Sequence, residues 1–373
     1  MNISFIGDLC LGRHIREAFE EHPIQFVSKD LIDCLKESDG RVIANLESPV
    51  SDVYQNQDRQ FCGIPEMLKQ FRWVDCFSLA NNHINDFGED AIRSTIGSLD
   101  ELGISYNGIY EGTYKPFIIE ENDCKIAVFC SATKVGEPFK DNCQLRLLYN
   151  ADDILYDYIK EYKQQGYLVI VFAHIGSMFC RYPNINVIDT AKKMIGAGCD
   201  CVVTSHPHCV GSFFNYNGYP VFYSLGDFLM DGSSFRRRQS IVIKLDIRDN
   251  KVAKWDIIPT VTTTDFKVEL PDKRVEKRIL KSFSSVSKKI AKKKKNYEGF
   301  YRFHYKFELI NHSLSTLHYV YHTKGVSGVF RDIFGRTEDF KGVVFRFKKG
   351  SSSDMLKEET RNGHLDIHNF GKQ

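Results

Sequence analysis

The apolar run Cys199-Asp200-Cys201-Val202-Val203 ends in Thr204-Ser205-His206-Pro207-His208. Such a run reads as a buried strand, and Pro207 favours a turn of the chain at its end. Two histidines one residue apart at that turn bring both imidazoles into one small volume. Burying them side by side is costly unless a partner satisfies them. Other apolar runs end in side chains of similar chemistry: Asp8, Asn45 with Glu47, Asn81-Asn82-His83, and His174. Strand ends that all carry metal-type side chains predict one shared pocket, because doubly wound sheets gather such groups at the carboxyl ends of their parallel strands. We read it as a metal site.

Around these strand ends the sequence alternates strands with helices. Lys29 to Lys36, Pro65 to Phe71, Gly88 to Leu102, Ile154 to Tyr162 and Val187 to Ile195 carry helical spacing or helix-start signals. After residue 210 the pattern turns to hairpins, with Asn217-Gly218 as a turn pair that tolerates positive φ. Alternation followed by hairpins predicts an α/β sandwich of two packed sheets with helices outside. The main domain is expected over 1–260 and a separate basic and aromatic, mainly helical extension over 271–373.

Bulk properties narrow the setting. A chain of 373 residues with net charge +2 and 26% charged residues can bury a large core, and its overall balance selects no partner. The 11 cysteines are odd in number and lack a Cys-x-x-Cys pair, so reduced, buried thiols are expected. The opening residues show no basic, apolar and small-residue leader pattern, and no apolar segment is long enough to span a bilayer. A cytoplasmic chain, peripheral at the inner membrane surface, is the expectation.

Charge is unevenly placed. Lys273 to Lys295 holds eleven basic residues against one acidic, with Val275, Ile279, Phe283, Val286 and Ile290 on a helical stripe. This segment is expected to contact a membrane surface or an anionic polymer, with the stripe adding burial. The aromatic-rich residues after it make nucleic acid a third option, ranked last because no nucleic-acid module is recognisable. The tail from Lys348 to Gln373 is polar and expected to fray.

Six motifs then occur in order: Gly7-Asp8-Leu9-Cys10-Leu11-Gly12-Arg13, Asn45-Leu46-Glu47-Ser48-Pro49, Asn81-Asn82-His83-Ile84-Asn85-Asp86-Phe87-Gly88, His174-Ile175-Gly176, His206-Pro207-His208 and Tyr223-Ser224-Leu225-Gly226-Asp227-Phe228. Together they resemble the bacterial capsule-synthesis CapA (poly-gamma-glutamate synthesis) family, a branch of the calcineurin-like metallophosphatase superfamily. The resemblance covers about residues 1–260. It implies a four-layer α-β-β-α sandwich with two divalent metal ions, Mn, Fe or Zn. Carried over, Asp8 and His208 hold one metal, Asn82, His174 and His206 the other, and Glu47 bridges them. His83 is then the proton donor to the leaving oxygen, Arg13 holds an anionic group, and Asp86 orients His83.

The pattern departs from the family at several positions. Cys10 stands where the wider superfamily has a histidine, and core packing is the expectation for it. His174-Ile175-Gly176 replaces His-Trp-Gly, and Met178 and Phe179 replace the acidic and tyrosine positions that usually follow. Asp227 stands where the family usually has asparagine. The expected function is a metal-dependent phosphoesterase in capsule or exopolymer synthesis, acting on a phosphorylated or anionic polymer-related substrate through a hydroxide activated by two metals. The alternative is a non-catalytic, polymer-binding accessory of a membrane-associated assembly complex.

Overall fold

Ile3, Phe5, Ile6 and Leu9 are all fully buried, and so are the residues between them from Ser4 to Asp8. A strand buried on both faces reads as a continuous apolar run, as parallel strands covered on both sides do. In the computed structural model, which describes residues 1–52, 61–121, 124–134, 136, 139–140, 143–232, 234–293 and 296–335, this is strand Asn2–Leu9. The expected frayed tail Lys348–Gln373 lies outside the described residues, as do Lys294 and Lys295 of the basic segment.

Strand Asn2–Leu9 sits in the middle of the first sheet. On one side it pairs in parallel with Arg41–Leu46, which continues through Cys76–Ser78 to Ser105–Asn107. On the other side Gln239–Arg248, Lys251–Thr262 and Val268–Glu269 follow in antiparallel order. In the second sheet, Cys124–Ala132, Leu168–His174, Cys201–Ser205 and Tyr219–Tyr223 run parallel, with antiparallel strands at its two edges. The edge hairpin Ser212–Tyr216/Tyr219–Tyr223 turns through Asn217 at φ 51° and Gly218 at φ 91°.

The two sheets meet face to face, with the rings of Phe5 and Phe172 edge-on at 5.5 Å between centroids. Helices Asp153–Gln164 and Ile185–Ala197 cover the outer face of the second sheet, burying Leu155, Ile159, Val187 and Met194 against Phe129, Val169 and Val171. Helix Ile185–Ala197 begins where the Asn184 side chain accepts the Val187 amide at 2.8 Å and ends at Gly198, φ 117°. Helices Arg13–Glu21, Lys29–Lys36 and Gly88–Leu102 bury Ile15, Leu31, Leu35 and Leu99 in the cluster that contains the first sheet. The result is an α/β sandwich of four layers, α-β-β-α. All 11 cysteines are unpaired and only Cys34 is not buried. No helix among the described residues is long and apolar enough to cross a membrane.

The chain divides after Ala291 into a unit Met1–Ala291 and a unit from Lys292 onward. The break expected near Pro271 therefore falls inside the first unit. Helix Lys273–Lys292 buries Ile279, Phe283, Val286 and Ile290, and the first two join the main core. Each such side chain stabilises by roughly 1.5–3 kcal/mol when fully buried, which outweighs the mutual repulsion of the helix's basic residues. The Ser287 hydroxyl also accepts the Phe213 amide at 2.8 Å. The described part of the second unit contains one helix, Tyr297–Gly335.

Candidate metal centre

The parallel strands deliver their ends to one place. Asp8 lies near the end of Asn2–Leu9, Glu47 follows Arg41–Leu46, Asn82 follows Cys76–Ser78, His174 ends Leu168–His174, and His206 and His208 follow Cys201–Ser205. Ile6 pairs with Ala44 but Asp8 pairs with Asn45, so Gly7 is the extra residue of a bulge. A Cβ on Gly7 would stand 2.1 Å from the Gly226 carbonyl oxygen, so only glycine lets the two strands approach this closely.

Glu47 is the common element. Its carboxylate is fully buried, and among the described residues neither oxygen has a hydrogen-bond partner. Oε1 lies 3.5 Å from His174 Nε2 and 3.7 Å from His208 Nε2. Glu47, His174 and His206 place ligand atoms within 4.8 Å of one another, and so do Asp8, Glu47 and His208. Asn82 Oδ1 completes the first group, 2.7 Å from His174 Nε2, which is also 3.0 Å from His206 Nδ1. Asp8 Oδ2 lies 3.6 Å from His208 Nδ1, while Oδ1 accepts from Asn45 Nδ2 at 2.8 Å and Oδ2 from the His206 amide at 3.1 Å.

Electrostatics here are those of a site built to receive positive charge. Burial, reinforced by Asp8 and Asp227, holds the Glu47 carboxyl well above the usual carboxylate range. Burial also raises Asp8, with Asp227 acting in the same direction against the opposing effects of His208, the His206 amide and Asn45. Burial and the neighbouring imidazoles push His206 down to about 3 and His174 well below its ordinary value, which keeps both rings neutral with lone pairs available. A buried carboxylate with no donor is costly, and a divalent cation is the partner that such a donor set fits. Cys10 stands outside both groups; burial raises its thiol, as expected for a side chain packed in the core.

The backbone around the site is held in sparsely populated conformations. His206 has φ 101°, His208 φ 54°, Phe179 φ 62°, Ser224 φ 59° and Arg13 φ 58°. Left-handed backbone at non-glycine residues costs on the order of 1–3 kcal/mol each and clusters where geometry serves function. Gly176, φ 135°, meets a similar constraint, since a Cβ there would stand 2.8 Å from both Pro207 Cγ and Tyr223 Oη.

At the rim, His83 Nδ1 donates to Asp86 Oδ2 at 2.7 Å, so Asp86 holds the ring and leaves Nε2 available. Phe61 stacks on His83 with centroids 4.0 Å apart and planes 7° apart. The Arg13 guanidinium lies 5.0 Å from the centroid of that same Phe61 ring, and Arg13 Nε is 3.1 Å from Asp231 Oδ2. Phe61 thus fixes both side chains, a connection no sequence motif announces.

Two more residues stand outside the expected set. His208 Nδ1 donates to Asp227 Oδ1 at 2.8 Å, and Arg237 Nη2 donates to Asp227 Oδ2 at 3.1 Å. Burial pushes the Asp227 carboxyl up, but Arg237 and His208 outweigh it, so it is held below its ordinary value. The donated Nδ1 proton leaves His208 Nε2, the atom nearer Glu47, with its lone pair. Arg237 also lies over the ring of Phe179 at 5.3 Å, and that ring is 6.1 Å from His208. The only sequence signal for Asp227 is its departure from the family's usual asparagine. Met178 points outward, 46% exposed.

The family model for the bacterial capsule synthesis protein PGA_cap matches residues 2–232. The chain belongs to that family. It is 29% identical over 275 residues to the capsule biosynthesis protein CapA of Bacillus anthracis, covering 69% of this chain and 67% of that protein. It is 26% identical over 272 residues to the PGA biosynthesis protein CapA of Bacillus subtilis (strain 168), covering 69% and 71%. Among solved structures it is similar to a hypothetical protein from Thermus thermophilus, at 14% identity and TM-score 0.43, covering 69% of this chain and 98% of that one. This PGA_cap member holds its candidate ligands and Asp227 within the matched region, whereas Arg237 and helix Lys273–Lys292 lie beyond it.

Proposed function

We propose that this PGA_cap member is a metal-dependent phosphoesterase of capsule polymer synthesis, acting on a phosphoester carried by an acidic, polyglutamate-type or polysaccharide intermediate. The carrying observation is Glu47, whose two buried oxygens have no hydrogen-bond partner among the described residues and which is shared by both groups of ligand atoms. Asp8 and His208 would hold one divalent cation, Asn82, His174 and His206 a second, with Glu47 between them. Such cations, Mn, Fe or Zn, supply charge neutralisation for a phosphoryl group and activation of water.

The chain's own residues account for orientation and proton transfer. Arg13, fixed by Asp231 and Phe61, offers its remaining guanidinium donors to an anionic group of the substrate. His83, held through Nδ1 by Asp86, gives a proton from Nε2 to the leaving oxygen. Asp227 fixes the His208 ring in one tautomer. Purified protein supplied with manganese is expected to hydrolyse an aryl phosphate monoester or diester. An unchanged rate in the His206→Ala, His208→Ala double variant would show that the chemistry lies elsewhere.

A further inference from the structure

Helix Lys273–Lys292 carries two opposed faces, and only one is used by the fold. Ile279, Phe283, Val286 and Ile290 are buried, the first two in the main core. Arg274, Lys277, Lys281, Lys288 and Lys289 are exposed, and among the described residues none of them has an ion pair. Glu276 is the helix's one acidic residue. Like charges three or four residues apart destabilise a helix by roughly 0.2–0.5 kcal/mol per pair, so the fold gains nothing from this row.

The helix also touches the walls of the metal centre. Arg181, two residues after Phe179, donates through Nη1 to Ser282 Oγ at 2.9 Å. Arg278 lies 4.7 Å from the centroid of Phe235, two residues before the Arg237 that holds Asp227. Both segments that reach toward His208 are therefore braced on this helix, and Arg278, one of its basic residues, makes one of those contacts.

We propose that this face is the docking track for a linear polycarboxylate whose reacting end lies in the metal centre. The inference rests on reading that centre as one acting on an acidic polymer, and it names the chemistry that binds the rest of the chain. From Arg274 to Lys289 the helix rises about 22 Å, a length suited to several successive carboxylates. A helix lying on a bilayer directs its apolar face into the lipid. Here that face is buried within the protein, and no large apolar side chain of the helix is exposed. What remains is charge alone, which suits a flexible polyanion in water.

The test titrates the full-length chain with fluorescently labelled poly-gamma-glutamate at low and raised salt, beside the Lys281→Glu, Lys288→Glu, Lys289→Glu triple variant. Binding is expected to weaken as salt rises. The triple variant is expected to bind at least about tenfold more weakly, as three charges near a polyanion imply. Equal binding by both proteins overturns the track, and so does preference for phosphatidylglycerol vesicles over the polymer. The aryl phosphate rate of the unsubstituted chain separates the two readings. Polymer binding without that rate removes the catalytic centre and leaves the track, whereas the rate without polymer binding removes the track alone.

Discussion

Glu47 Oε1 and His174 Nε2 approach to 3.5 Å, although Glu47 extends from the first sheet and His174 ends a strand of the second. The carboxylate that both donor groups share is thus fixed by the packing of two sheets, and among the described residues it has no donor. Glu47→Gln removes that charge and keeps the shape. Elemental analysis of protein purified without chelator is expected to show loss of most bound metal. With metal chelated, the parent's stability is expected to fall as pH rises from the ordinary carboxylate value through the raised Glu47 value, because the folded chain must then hold a buried, unpartnered charge, and the Gln variant is expected to lack that fall.

Asp227→Asn tests the orientation of His208. Partners of this kind typically contribute about 10–100-fold in metal affinity. Competition with a chromophoric chelator is expected to show a loss in that range, with the fold intact by circular dichroism. An unchanged affinity means that the His208 ring needs no carboxylate to hold it.

His83→Asn tests the proton donor. Its loss is expected to slow an alkyl phosphate by about 10²–10⁴-fold, the usual contribution of general acid catalysis. An aryl phosphate with a good leaving group needs that proton less and should slow far less. Asp86→Asn should reproduce the pattern more weakly, since it acts through the ring it holds.

The depressed value of His206 makes a stability prediction for the metal-free chain. Between about 3 and the ordinary histidine value the unfolded chain binds a proton that the folded chain does not, so this residue makes stability rise with pH across that window. Urea midpoints of chelated protein, measured across the window, are expected to rise more steeply for the parent than for His206→Asn.

Phe283→Ala tests whether the basic helix belongs to the main core. Its side chain is buried in the first unit, so the substitution is expected to cost about 3–5 kcal/mol. A helix that merely hung from the unit would leave the unfolding midpoint unmoved.

Much of this arrangement is legible in the sequence because it depends on local patterns. Apolar runs followed by Asp8, Glu47, Asn82, His174 and His206 mark parallel strand ends, and the geometry of doubly wound sheets brings such ends together. The stripe Ile279, Phe283, Val286, Ile290 is equally plain as a helix face. What periodicity lacks is the identity of the surface that covers a stripe, so a lipid interface and a protein core give the same spacing. Asp227 escapes for a related reason: its significance lies in pairing with His208 and Arg237, contacts that no spacing along the chain encodes. Phe61, between Arg13 and His83, is silent in the same way.

The ligand atoms are divided between the two sheets: Asp8 and Glu47 come from one, His174 and His206 from the other. A cation lodged among them is consequently a clasp across the sandwich as well as a reagent. Removing it with a chelator should therefore lower the unfolding midpoint of the whole first unit, because an ion held only by the folded state stabilises that state.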